Sequence, residues 1–459
     1  MNLYLLYTLL LLTIGSVLAL VFIYNKDSFS YMFFIICLFC FSGTPYRIIS
    51  KIQGGISLDY VAGLRDIFIF TSLVLFGLKI RLKNTLFYNL LIAIIILYCI
   101  SVVFSFDNIF IGIWGIRWGI LPIIFGFLFT ELYFKRNKTI NLYLKFIAII
   151  ILLQSLYGIY QWYNFPEIDA PISDSYQDIK EEATIFTDSP LMTGTHIRTY
   201  SFTYGITDIT HFLPQIGIIM ILLLFSNDYR TGLNLIAAFA YILWLFIAKE
   251  KAAIATTFIG LFTCILLNFL FKIKLKYFIL IMIILITWFT FSWMVNTGKI
   301  EINNAHIYRI SNLTNPLKVG TGKSRFNIWQ KEIIPKIVSN PFGYGVGMAR
   351  YSKATEGVSI RAPHNLYFQI ILEIGIIGLT IFAFIIFLYL LKLFKCSKQL
   401  IKSDYAISLA LTSSIISVLI YGIVSVPLDQ SGGIFFWISL FMSYYIMSQY
   451  TQTRVTKCG

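Results

Sequence analysis

The sequence predicts an all-α polytopic membrane protein, and three observations carry that prediction. Hydrophobic residues make up 58% of the 459, aromatic residues 17% and charged residues only 12%. The apolar residues gather in runs of about 18 or more, the length that crosses ~30 Å of hydrocarbon as a helix. The runs do not alternate apolar with polar residues in ten-residue segments, as a transmembrane barrel would require.

Spans are expected near residues 3–24, 29–45, 61–78, 86–103, 109–133, 139–163, 208–226, 233–248, 252–271, 277–295, 365–391, 405–427 and 431–449. The first is too long for a signal peptide, lacks a small-residue cleavage site, and reads as a span. The count is about 12–13, because thirteen spans place the amino terminus outside whereas Arg47 and Lys51 argue for a cytoplasmic loop near them.

Orientation follows from the short loops. Lys79, Arg81 and Lys83; Lys135, Arg136 and Lys138; Lys272, Lys274 and Lys276; and Lys392, Lys395, Lys398 and Lys402 fall on alternate connections. They share one side, the cytoplasm. The other side receives the Phe104–Asn108 connection, the long loops 164–207 and 296–363, the Lys249-Glu250-Lys251 connection and the Leu428–Gln430 turn. Cys37, Cys40, Cys99, Cys264, Cys396 and Cys458 all lie in spans or cytoplasmic segments, which fits a bacterial inner membrane with periplasmic loops free of disulfides. The expected organisation is therefore N-terminal transmembrane helices over 1–163, a first periplasmic loop over 164–207 and central helices over 208–295. A second, partly helical periplasmic loop over 296–363 bears the catalytic elements, and C-terminal helices fill 364–459.

Much of the net charge of +15 serves orientation, so no nucleic-acid partner is needed to explain it. Loop 296–363 nevertheless carries ten Lys or Arg against Glu301, Glu332 and Glu356, while loop 164–207 is acidic, with only Lys180 and Arg198 as cations. Pairing between the two loops is one account of these charges; anion binding by a few of them is the other. Lys249 and Lys251 sit at the depth of lipid phosphates, where they suit a lipid pyrophosphate or simply snorkel to headgroups. Arg117, inside the 109–133 span, either faces a cavity or pairs structurally with a carbonyl or Glu131.

Within the second loop, the run from Gly322 to Trp329 is expected to open an amphipathic helix. Ser324 is its candidate N-cap, Arg325 lies in the first turn beside anion-favouring N–H groups, and Trp329, Ile333 and Ile337 share one face. Asn340-Pro341 ends the helix. Gly343, Gly345 and Gly347 follow as a tight turn that lets backbone approach a substrate or the membrane. His364 is the candidate general base, its neighbour Pro363 setting the approach and the helix from Asn365 pointing its positive end at the imidazole. His196, His211 and His306 lack a comparable setting. No His-Glu-x-x-His pattern indicates a metal, and no Gly-x-Ser-x-Gly indicates a serine hydrolase.

Three patterns, Arg325-x-x-x-Trp329, Asn340-Pro341-x-Gly343-x-Gly345-x-Gly347 and His364-Asn365-x(9)-Gly375-x-x-Gly378, together with the segment led by Arg198, resemble the O-antigen ligase and O-antigen polymerase superfamily over roughly residues 190–380. The resemblance implies a GT-C-like, metal-independent membrane glycosyltransferase needing no cofactor. It implies a donor glycan carried on undecaprenyl pyrophosphate and an acceptor that is a lipid-linked glycan (polymerase) or lipid A core (ligase), with a flippase or chain-length regulator as a further partner. By position, His364 would deprotonate the acceptor and Arg325 would hold the pyrophosphate, with Arg198, Lys249, Lys251, Arg361 and Arg117 as further pyrophosphate contacts. The chain departs from the ligase pattern in one place: Lys249-Glu250-Lys251 stands where ligases carry an arginine. Two sizeable loops and Arg309-x(10)-Gly320 point to a polymerase. A flippase for the same lipids would show charges along many spans, and these spans are nearly charge-free.

Overall fold

A computed structural model describes residues 28–41, 69, 85–103, 109–134, 140–164, 206–248, 251–272, 321–349, 360, 362–397, 400–428 and 430–455. Among these, every regular element is helical, in keeping with an all-α polytopic membrane protein. The order is α1 (Ser28–Phe41), α2 (Leu86–Val103), α3 (Ile109–Phe129, continued by a π-helical turn Thr130–Phe134), α4 (Ile140–Asn164), α5 (Ile206–Leu223), α6 (Gly232–Ala248) and α7 (Lys251–Lys272). Then follow α8 (Thr321–Ile328), a π-helical turn (Trp329–Ile333), α9 (Ile334–Ser339), α10 (Leu366–Cys396), α11 (Lys402–Tyr421) and α12 (Gln430–Val455). Four described helices, α2, α4, α10 and α11, are long and apolar enough to cross a membrane, and shorter apolar stretches occur in α3, α5, α6 and α7.

The described helices match the expected spans closely, with informative differences at the ends. The span expected over 405–427 starts at Lys402 and stops at Tyr421, after which the chain turns. The span expected over 365–391 runs on to Cys396 and is broken inside. The spans near 3–24 and 277–295, and that near 61–78 apart from Ile69, lie outside the described residues.

The chain forms two compact units. The first comprises Met1–Arg81, Ile124–Ile254 and Gln430–Ile438. Its helices meet through small residues and aromatic rings: a Cβ on Gly217 would stand 2.4 Å from the Tyr241 ring, and one on Gly126 would stand 2.8 Å from the Trp437 backbone. Phe212 stacks on Phe435 at 5.6 Å. Buried amides supply cross-helix bonds, Gln154 Nε2 donating to the Cys40 carbonyl (2.6 Å) and Gln215 Nε2 to that of Gly432 (3.0 Å). Small residues and interhelical hydrogen bonds hold such bundles, since lipid removes the hydrophobic drive between helices.

The second unit comprises Leu82–Ile123, Ala255–Asp429 and Ser439–Gly459. One face of α2 buries Phe87, Leu91, Ile94 and Tyr98, while Ile92, Ile96 and Ile100 remain exposed as a lipid-facing stripe. Phe87 stacks on Tyr444 at 3.9 Å, and Lys392 lies 3.8 Å over the same ring while donating to Ser448 Oγ. The α11 hydroxyls of Thr412 and Ser413 bond back to the carbonyls of Ser408 and Leu409 at 2.6 and 2.8 Å, which is how so polar a helix is accommodated. Tyr389 OH meets Thr412 Oγ1 and Ser443 Oγ.

Candidate functional site

The site belongs to the second unit and begins with a break. At Ile374 (φ −126°, ψ 15°) and Gly375 (φ 75°, ψ 179°) α10 leaves helical geometry. The glycine-rich turn fills that gap: Tyr344 N donates to the Leu372 carbonyl (2.7 Å), and Ile376 N donates to the Pro341 carbonyl (2.9 Å). A helix interrupted inside a membrane protein must have its freed backbone groups satisfied by other protein groups, and here another stretch of backbone does so. The approach is close enough to require glycine on both sides, since a Cβ on Gly375 would lie 2.7 Å from the Phe342 carbonyl and one on Gly343 would lie 2.8 Å from Gly375 N. A Cβ on Gly347 would meet the Ile111 carbonyl at 2.4 Å. The expected close approach of this turn's backbone is present, and the groups that the described residues bring to it are the chain's own, because α10 and α3 present carbonyl and amide groups to it.

Before the break, α10 starts at Leu366 and its N-cap is Asn365, not the histidine. Asn365 Oδ1 accepts from Phe368 N (3.0 Å), and Asn365 Nδ2 donates to the Ile423 carbonyl (2.7 Å) beyond the end of α11. On the other flank, Trp329 Nε1 donates to the Pro363 carbonyl (2.6 Å), with its ring edge-on to Phe368. His364 is therefore clamped between two anchored neighbours. Its φ of 48° is left-handed, a conformation shared by no other non-glycine residue among those described. Such strain persists only where the surroundings over-determine it, and it concentrates at functional sites.

The expected amphipathic face is present. Ile333 is fully buried with Ala349, Ile360 and Leu372, and Trp329, Ile337 and Phe368 pack against that cluster. The expected helix start is not. The helix begins at Thr321, so Ser324 is inside it rather than capping it, and Arg325 falls in the second turn, away from the free N–H groups. Residues 321–324 are compatible with helix, so the chain starts it one turn early. Arg325 is instead placed by Nη1 donating to the Val424 carbonyl at 2.5 Å, in the turn that also receives Asn365. Burial lowers the pKa of His364 below its usual 6.5, and the positive charge of Arg325 lowers it further. The residue keeps solvent access, which tempers both effects, but the direction favours a neutral imidazole at pH 7.

The other expected cations are less defined. Arg117 lies within α3 and Lys251 opens α7, immediately after the connection that follows α6. Arg198, Lys249 and Arg361 lie outside the described residues. One residue escaped the sequence reading altogether. Glu373, immediately before the break, is fully buried; Gln369 Nε2 donates to its Oε1 (3.3 Å) and Ser101 Oγ to its carbonyl (2.5 Å). The signal was there, a Gln and a Glu four residues apart in an otherwise apolar helix.

Residues 216–383, which include Arg325, His364 and both ends of the glycine-lined break, match a family model described as O-antigen ligase. The match covers somewhat over a third of the chain. The match supports membership of the ligase and polymerase superfamily and with it a membrane glycosyltransferase of that general type. Within the matched residues fall Lys249, Lys251 and Arg361; Arg117 and Arg198 lie outside them. No curated protein matches the chain.

Proposed function

We propose that the chain transfers a glycan from undecaprenyl pyrophosphate to an acceptor sugar hydroxyl at the periplasmic face of a bacterial inner membrane, and that it acts as an O-antigen polymerase. The observation that carries this reading is the clamped, left-handed His364 beside Arg325 within the residues that match the O-antigen ligase family model. Neutral His364 accepts the proton of the acceptor hydroxyl as its oxygen attacks the anomeric carbon. The bond from that carbon to the pyrophosphate oxygen breaks with inversion, and undecaprenyl pyrophosphate leaves with the bonding pair. Arg325, with Arg198, Lys249, Lys251, Arg361 and Arg117 as further candidates, balances the charge on that leaving group.

The description of the matched family favours a second reading, a ligase with lipid A core as acceptor. Lipopolysaccharide profiling of a deletion strain separates the two. A core carrying one repeat supports polymerase; a bare core with accumulating lipid-linked polymer supports ligase; unchanged lipopolysaccharide overturns both.

A further inference from the structure

The stretch from Ile334 to Phe342 carries apolar side chains on two faces, with half-buried Lys336 and exposed Ser339 among them, the Ser339 hydroxyl bonded to the Lys336 carbonyl. Ile333 and Ile337 turn inward to the cluster already described. On the outside, Val338 and Phe342 are 75% and 76% exposed, and Ile334 joins them one turn before Val338. An aqueous loop would gain nothing by presenting such a face to water.

The position of that face gives its partner. Pro341 is hydrogen-bonded to Ile376 N, so the turn bearing Phe342 lies against α10 at its break. Ile376 and Ile377, just past the break, are themselves exposed apolar residues on a helix of 31 residues, long enough to cross a membrane. At 1.5 Å per residue Gly375 lies about 13 Å from the helix start, beyond an interfacial layer of roughly 5–7 Å and within the hydrocarbon. Ile334, Val338 and Phe342 therefore continue the lipid-facing surface of α10. Lys331, exposed one turn earlier, stands where a cation meets headgroups.

The geometry points to a re-entrant element: residues 334–342 are embedded in the phospholipid leaflet as a hairpin plugged into the break of α10, rather than lying in the aqueous loop. Non-helical backbone at that depth is tolerated because the turn and the break satisfy one another's hydrogen bonds.

The test uses the full chain, with its native cysteines replaced by serine, in phosphatidylethanolamine/phosphatidylglycerol nanodiscs. Nitroxide labels are placed singly at Val338→Cys and Phe342→Cys, with Ile377→Cys as the lipid-facing reference and Lys331→Cys as the surface reference. Power-saturation EPR then compares collisions with oxygen and with a water-soluble nickel chelate. Labels at 338 and 342 are expected to favour oxygen as the label at 377 does, by several-fold over the label at 331. Nickel accessibility like that at 331 would overturn the proposal, as would shielding from both reagents, which would mean that protein covers the face. Both side chains are largely exposed, so either label alone, on monodisperse protein, is enough to separate these outcomes.

Discussion

At the residue scale, the proposed chemistry rests on a histidine whose neighbours are held more firmly than itself. Pro363 is fixed through its carbonyl and Asn365 through its amide, so the imidazole is presented by backbone conformation. His364→Ala is expected to reduce transfer by about 10²–10⁴-fold in a purified assay while leaving protein yield intact, the usual loss for a general base. Arg325→Lys is expected to impair transfer as well, because a point charge replaces a planar fork. Both causes lower the imidazole pKa, so the acid limb of kcat/KM should lie below pH 6.5. Arg325→Gln removes a charge that opposes imidazolium; the pKa then rises toward its usual value and the limb moves to higher pH. An unmoved limb would show that the titrating group is not His364 or does not sense Arg325.

At the element scale, the decisive feature is a long helix interrupted by a turn more than twenty-five residues upstream. Gly375→Ala should be severely destabilising, since a positive φ with ψ near 180° is a region essentially confined to glycine, costing about 1–3 kcal/mol, and its Cβ would also meet the Phe342 backbone at 2.7 Å. Gly378→Ala should be milder, because its φ is not positive and the atoms it meets belong to the Ile374 side chain rather than to backbone. Thermal unfolding in detergent tests the order, and equal loss at both positions would contradict the backbone-to-backbone account. Asn365→Asp retains the capping oxygen but loses the donor to Ile423, whereas Asn365→Ala loses both; the cap alone is worth about 0.5–2 kcal/mol. A larger loss for Ala than for Asp in the same melt is the expected result.

At the scale of the whole molecule, orientation is the consequence that reaches furthest, because it places His364 on one side of the membrane. Cysteines introduced at Ser173 and Thr321 are expected to react with an impermeant thiol reagent in intact spheroplasts, whereas one at Lys402, exposed at the start of α11, is not. Labelling at position 402 alone would reverse the orientation and with it the periplasmic chemistry. The same alternation of basic loops that motivates this prediction also delimited the helices, which is why α2, α4 and α7 fall within a few residues of their expected bounds. Apolar length and charge placement are local properties, and a sequence displays them directly.

The sequence by itself determined the fold class, most helix positions and the inward face of Trp329, Ile333 and Ile337, and it singled out His364 as a candidate, because each depends on residue type and spacing within a few turns. Tertiary structure decided the rest. Whether Ser324 caps a helix or lies inside it depends on backbone torsions that either assignment allows, and Arg325 is oriented by a carbonyl at Val424, 99 residues away. The spacing from Asn365 to Gly375 gained its physical meaning only with the turn in place: Asn365 caps the helix, and Gly375 opens it for the backbone of Phe342. Those contacts join positions tens to hundreds of residues apart, and hydrogen bonds between distant backbones leave no periodicity in the chain.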